Sequence, residues 1–516
     1  MNGENLKTLH RIDSFMKFKN PKIEKLYEYL SQMSRMAYFD PLLIVNDVLC
    51  KHDTRGRILE TCISGETPQK VTFILVVKKI LFYFVKNLVA YLGYLVTAMA
   101  HRFSRQSFQV PGKDELLVLD TYFVARGIIE KNRFKDTFFP GLAEALIRRK
   151  KNHVYVPRLF GSMDPFEWFR VFRIFKKNGD PVLTEFQLLN FADYLKVFRF
   201  IFVYPFSVWR FAKNLGTGYE DEVLRHGLWH ALDSVTFGAY VRFLLGKHLS
   251  SLKIDKIKCL SWYENQIFDK NFYRGLRAVP GKVDIIGAQL FLRPHSLLHI
   301  VLDEGEASFD VIPDKVLVNG PGYLFESEHA QIDVGPSLRY SHLFNTEVHP
   351  SDGAIILVLM PFWDHVVRYI LNIVCEVDWP VPVEIKFHPS TDQKIYEKNL
   401  PGRFLVTDKA LPELLPRARM VVGRCSGSQI EAAALGIPVI DIQNSNEFSH
   451  SCMPEMGKGI LWDEALGVGE VVRLVSQFQE VLQSNPSLLK EEGARLRSVY
   501  FTEPTDELIG QAFGLD

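Results

Sequence analysis

Three short stretches place residues capable of chemistry where strands should end. In "VEIKFHPS" (383–390) an apolar run finishes in His388, and Pro389 fixes φ so that the strand cannot continue. An imidazole there can donate a hydrogen bond to a phosphate or protonate a leaving phosphate oxygen. In "MVVGRCSGSQIEAAALGIPVI" (420–440) a strand runs through a turn of small residues into an Ala-rich helix. The free N–H groups at that helix start, with the Ser426 and Ser428 hydroxyls around Gly427, make an anion site, and Arg424 adds charge. Ser428 and Glu431 also have the spacing of a capping box, which would account for both without any ligand. In "CLSWYENQ" (259–266) Glu264 follows an apolar strand, placed to take a proton from an acceptor hydroxyl. Its bland alternative is a helix cap or an ion pair with Arg274 or Arg277.

The elements that would position these residues are legible as rhythm. From 111 onward, near-continuous apolar runs ("DELLVLD", "HVYVP", "IKCLSWYE", "VDIIGAQ", "KVLVNG") alternate with helical stretches. After a polar segment at 326–352, which reads as a linker, the alternation resumes with "AIILVLM", a helix from about 364, "VEIKF", "RFLVT", "MVVG" and "PVIDI". Such strands belong to parallel sheets covered on both faces, and ligands bind at the carboxyl ends of their strands. Two such units imply a cleft between them. Asp364, after "AIILVLM", and Asp233 are further carboxylates that could act as nucleophiles.

Residues 1–110 lack this rhythm and read as helical. Within them 71–100 has three lysines and no acidic residue, and its longest uncharged run, 87–100, is shorter than the roughly 18–20 residues of a spanning helix. At 100° per residue Thr72, Lys78, Lys79 and Lys86 fall on one side. The pattern predicts a helix in the membrane interface with its lysines toward lipid headgroups; a buried helix with snorkelling lysines and a true span are the alternatives. The aromatic-basic stretches within 167–213 suit the same surface.

The chain has 516 residues, 47% of them hydrophobic, and a formal net charge of +1, so no global field points to nucleic acid. Six scattered cysteines without a CxxC pair predict neither a zinc site nor a disulfide framework. The polar start "MNGENLKTLHRIDSF" shows no secretory signal.

Together these motifs resemble those of GT-B glycosyltransferases, and within them the bacterial polysialyltransferases and the Kdo transferases of capsule and lipopolysaccharide synthesis. CDP-glycerol polymerases carry related His–Pro motifs. The likeness covers 250–516 well, 111–250 only in rhythm, and not 1–110. It implies an α/β fold of two Rossmann-type doubly wound domains facing a cleft: 111–345 for the acceptor, with a helical insertion, and 346–516 for the donor, behind a helical N-terminal extension, 1–110. It further implies that His388, with Pro389, contacts the phosphate of a CMP-activated sugar, that Ser426 and Ser428 serve the same nucleotide, and that Glu264 is the general base. Here the chain reads Glu264-Asn265-Gln266 where the family has two acids and a glycine. The expected activity is transfer of Kdo or a sialic-type acid to a lipid-linked glycan, by a peripheral protein on the inner face of the cytoplasmic membrane, without nucleic acid, cofactor or metal; no D-x-D occurs in the chain. A CDP-glycerol-type polyol-phosphate transferase is the alternative; a nucleotide-sugar epimerase and a catalytically silent scaffold are further ones.

Overall fold

The structure, a computed structural model, describes residues 21–52, 57–65, 68, 71–105, 114–161, 164–294, 297–398, 400–445, 447 and 449–516. The polar start of the chain and the 110/111 boundary expected from sequence lie outside them.

The first sheet contains β1 (Glu115–Val124), β2 (His153–Phe160), β3 (Lys256–Trp262), β4 (Val283–Gln289), β5 (Lys315–Val318) and β6 (Gln331–Val334), in the order β2-β1-β3-β4-β5-β6 and parallel throughout. Successive side chains of a strand face opposite sides. In β1, Leu116 and Val118 enter one apolar cluster while Leu117 and Leu119 enter another, so the strand is buried on both faces. That explains its unbroken apolar run. The edge strand β6 falls inside the stretch read as a linker: its QIDV is short and mostly half-buried, and its pairing with β5 gives it the strand geometry that its composition does not announce.

The second sheet contains β7 (Ile355–Leu359), β8 (Val383–Lys386), β9 (Phe404–Val406), β10 (Ala418–Gly423), β11 (Val439–Ile442) and β12 (Trp462–Ala465), in the order β12-β11-β10-β7-β8-β9. Counted from β7, this is the 3-2-1-4-5-6 order of a Rossmann sheet. Two doubly wound parallel sheets facing a cleft are therefore present, as the resemblance implied.

Two domain boundaries differ from expectation. The end of the chain does not stay with the second sheet: Ser337 and Thr502 exchange hydrogen bonds, Arg149 clasps Asp506, and Lys258 donates to the Gly514 carbonyl. The helix Asp506–Phe513 thus packs on the first domain, with Phe513 buried against Phe139. The N-terminal helices, in turn, are not a separate extension. Pro21–Tyr38, Arg57–Ser64 and Phe73–Ser104 share one apolar core with Phe191–Lys213, Tyr219–Ala231 and Phe237–Ser250.

A buried ionic cluster ties this helical unit to the first sheet. Lys51 and Lys270 both donate to Glu306, at 2.5 and 2.6 Å, and Lys51 and Arg35 also reach Asp303. Glu306, Lys51 and Lys270 side chains are all fully buried. Removing one partner of a buried ion pair leaves the others charged and unpaired, at about 3–5 kcal/mol. Glu306→Leu should accordingly lower the unfolding free energy measured in urea by an amount of that order, with an earlier midpoint; an unchanged midpoint would contradict the coupling.

Candidate active site in the cleft

In an open parallel sheet the strand order reverses at a switch point, and the crevice outside the strand ends there receives ligand. The reversal falls between β1 and β3 in the first sheet and between β7 and β10 in the second. A cavity of about 880 Å³ opens at both. Its first wall carries Tyr122 and Val124 from the end of β1, Phe160 from β2, and Glu264 and Gln266 after β3; the opposite wall carries Phe362 and Trp363 after β7, Arg424 and Cys425 after β10, and Glu447 and His450 after β11. His52 and Glu60 of the helical unit close one side.

Glu264 is held by its immediate neighbours. The Trp262 indole Nε1 donates to Oε1 at 2.8 Å and the Gln266 amide donates to Oε2 at 2.6 Å. Burial raises the carboxyl pKa above the ordinary glutamate range, with the indole bond pulling the other way. The loop beneath it is anchored by charge: Arg242 bonds Asp120, Asp120 bonds Arg158, and Arg158 bonds both the Trp262 carbonyl and Asp269. Asp269 then accepts the Gln266 backbone N–H at 2.8 Å and that of Glu264 at 3.3 Å. Asn265 takes a left-handed conformation (φ 54°), which asparagine tolerates, and its amide donates to the His299 carbonyl. Asn265 thus makes the turn and Gln266 orients the carboxylate. Neither Arg274 nor Arg277 pairs with Glu264; Arg277 is bound to Asp314.

On the opposite wall Arg424 is 1% exposed, bonded through Nη1 to Glu447 at 2.8 Å, while its buried Nε has no hydrogen-bond partner among the described residues. Arg424 lines the cavity and brings positive charge to its wall, partly balanced by Glu447. His450 packs on Trp363, and burial, with Arg424 adding to it, pushes its pKa down to about 4.

His388 is exposed and stands at the rim rather than on the cavity wall, its ring 5.6 Å from Phe362, which does line the cavity. Its Nδ1 accepts the Ser390 backbone N–H at 3.2 Å and meets the Ser390 hydroxyl at 2.7 Å. In the neutral ring the proton therefore sits on Nε2, and partial desolvation of the ring holds the pKa below the usual histidine value. The His–Pro ending is explained: Pro389 stops the strand, and the following serine locks the imidazole so that one N–H faces outward.

The serine turn departs from its expected cap. The helix Ser428–Ala434 has Gly427 as N-cap, and it is Gln429 that reaches back to the Ser426 N–H, at 3.3 Å. Glu431 pairs with His342 at 3.1 Å instead of closing a box with Ser428. Cys425, at φ 57°, tightens the turn by one left-handed residue and so shifts the cap away from Ser428. A Cβ at Gly427 would come within 2.8 Å of the Leu292 Cβ, so this turn touches the first domain, and only glycine allows the approach. Ser426 and Ser428 are half-buried beside Arg424 and Cys425 but do not line the cavity.

Asp364 is not brought to the site. It opens the helix Asp364–Glu376, 62% exposed at its side chain, ion-paired with Arg368 and hydrogen-bonded by Tyr396. Asp233 lies in the helical unit, paired with Lys79 at 2.5 Å. Trp262, Glu447 and His450 were not singled out in the sequence, although Trp262 lies two residues from Glu264; Gln266 was noted only as a departure from the expected pattern.

No protein-family model and no curated protein sequence matches the chain. Among solved structures it is similar to MurG of Acinetobacter baumannii, at 9% identity and a TM-score of 0.41, over 78% of this chain and 99% of that one. It is also similar to the glycosyltransferase SnogD of Streptomyces nogalater, at 15% identity and a TM-score of 0.40, over 78% and 100%, and to MnaA of S. aureus solved with UDP, at 12% and 0.41, over 78% and 98%. The chain itself has two six-stranded parallel sheets with helices around them.

Proposed function

We propose that the chain is a glycosyltransferase that moves a sugar, Kdo or a sialic-type acid, from a CMP-activated donor to a lipid-linked surface glycan. The observation that carries this reading is the cavity opening at both switch points, with a desolvated carboxylate, Glu264, on one wall and the buried Arg424 on the other. Glu264 takes the proton of an acceptor hydroxyl as its oxygen bonds to the anomeric carbon. The bond from that carbon to the CMP phosphate oxygen breaks, and CMP leaves with the electron pair. His388, through Nε2–H, and Arg424 stabilise the departing phosphate, with Ser426 and Ser428 near the nucleotide. The aromatic side chains Tyr122, Phe138, Phe160 and Phe291 exclude water and present faces to sugar and base. Because Asp364 is engaged by Arg368 and Tyr396, the reading uses direct displacement with Glu264 as base rather than a covalent intermediate.

The protein works as a peripheral membrane protein on the inner face of the cytoplasmic membrane. No described helix is long and apolar enough to cross a membrane. The helix Phe73–Ser104 is nonetheless amphipathic in the sense opposite to the one its sequence suggested. Lys79 and Lys86 turn inward, to Asp233 and its carbonyl, and Tyr83, Asn87 and Tyr91 are buried. Leu81, Val85, Val89, Leu92, Val96, Met99 and Phe103 are exposed, alongside Phe191, Leu195, Phe202, Phe206 and Trp209 of the helix Phe191–Lys213. An apolar face of this extent suits a lipid interface. With Lys79 and Lys86 turned inward, the two helices still expose six cations, Lys78, Arg102, Lys196, Arg199, Arg210 and Lys213, against one acid, Asp193, which favours anionic lipid.

The test is incubation of the purified protein and a lipid-linked acceptor with CMP-Kdo, CMP-sialic acid, UDP-sugars and CDP-glycerol in parallel, read by product mass. A sugar added from a CMP donor is the expected result. An added glycerol phosphate would replace this reading by polyol-phosphate transfer, and no product with either cytidine donor class would overturn it.

A further inference from the structure

Outside the cleft, a second large depression runs between the helices Phe73–Ser104 and Phe191–Lys213. It has a volume of about 1120 Å³. Leu88, Leu92, Leu95 and Met99 form one wall and Phe191, Leu195 and Phe198 the other, over a floor closed by the Tyr91 hydroxyl donating to the Tyr194 carbonyl at 2.8 Å. No acidic side chain lines it; its single charged group, Arg102, stands at one end, exposed and without an ion pair among the described residues. From Leu88 to Arg102 the helix advances about 21 Å, against roughly 15 Å for the hydrocarbon depth of one bilayer leaflet.

We propose that this groove holds one hydrocarbon chain of the lipid-linked acceptor, its anionic headgroup held at Arg102. The proposal rests on the membrane reading above and deepens it: the face as a whole meets the bilayer, and the groove draws a single acyl or prenyl chain out of it. Three features favour a lipid tail with an anionic head over a partner protein. The walls are aliphatic and aromatic along their whole length, the charge is confined to one end, and the sign of that charge matches a phosphate. The same helical unit also contributes His52 and Glu60 to the catalytic cavity, so a lipid held here is presented by the body that walls the site.

The test titrates the full chain, in buffer without vesicles, with hexadecyl phosphate and with hexadecanol by calorimetry. Sedimentation with phosphatidylglycerol vesicles and light scattering are run on the same samples. Saturable binding near one chain per protein is expected, weakened about tenfold or more in Ala98→Trp, which fills the groove while leaving the face apolar. Leu195→Trp narrows the groove from the other wall and serves should Ala98→Trp not fold. Arg102→Gln should weaken hexadecyl phosphate and leave hexadecanol unchanged. Both groove variants should still sediment with vesicles. Wild-type-like binding of hexadecyl phosphate by a folded groove variant would overturn the proposal. So would a dimer that the groove variant splits without any chain binding, since a second copy would then be the occupant. Chain binding without vesicle sedimentation would refute the membrane reading and leave the groove standing.

Discussion

Glu264→Gln should lower kcat/KM by about 100- to 10,000-fold, the usual contribution of a positioned general base, while nucleotide affinity stays within a few-fold of wild type. Glutamine has the same shape, its carbonyl oxygen can keep the Trp262 indole bond, and the Gln266 amide can turn over to accept in place of donating. The loop is held independently by the Arg158–Asp269 pair, so the variant should fold. The pH profile separates a base from a structural group. A base acts ionised, and burial raises the Glu264 pKa, so the wild-type rate should climb with pH through a limb lying above the ordinary glutamate value of about 4.3. Glu264→Gln should remove that limb. A variant with the same limb and a uniformly lower rate would show that another group takes the proton.

His388→Ala should cost about 100- to 1,000-fold in turnover, the loss typical of one donor to a developing anion. The imidazole is exposed, so its removal opens no core cavity, and only the Ser390 hydrogen bonds and the Phe362 ring contact are lost. The expected signature is loss in kcat with weakened affinity for the nucleotide product, because the Nε2–H reaches a phosphate present in both donor and product. Its pKa lies below the usual histidine value, so around pH 7 it acts as a neutral donor. Near-wild-type turnover would remove the rim from the site and leave the phosphate to Arg424.

Much of this arrangement could be read from the chain because burial on both faces forces unbroken apolar strands, and a parallel sheet fixes which end of each strand meets ligand. That is why local runs alone put Glu264 and Arg424 at strand ends, where both lie on the cavity wall. Other features depend on partners distant in sequence. Periodicity placed Lys79 and Lys86 on one side of their helix but could not say that this side looks inward, since Asp233, about 150 residues on, decides it. Asp364 follows a strand just as Glu264 does; the helix that begins at it turns its carboxylate to Arg368 and Tyr396. The Ser428–Glu431 spacing matched a cap that the left-handed Cys425 displaces. The short strands β6 and β12, each of four residues, owe their geometry to the neighbour they pair with rather than to their own composition.

The central claim is that the second sheet's side of the cleft binds a cytidine nucleotide through its phosphate. The most direct test is thermal shift of the purified protein against CMP, CDP, UDP, GDP and ADP, because a ligand that binds only the native state raises its melting temperature by mass action. Stabilisation by CMP that is lost in His388→Ala is the predicted result. A response to UDP or GDP alone would contradict the account, while a CMP response that His388→Ala leaves intact would take the phosphate from His388 and leave it to Arg424.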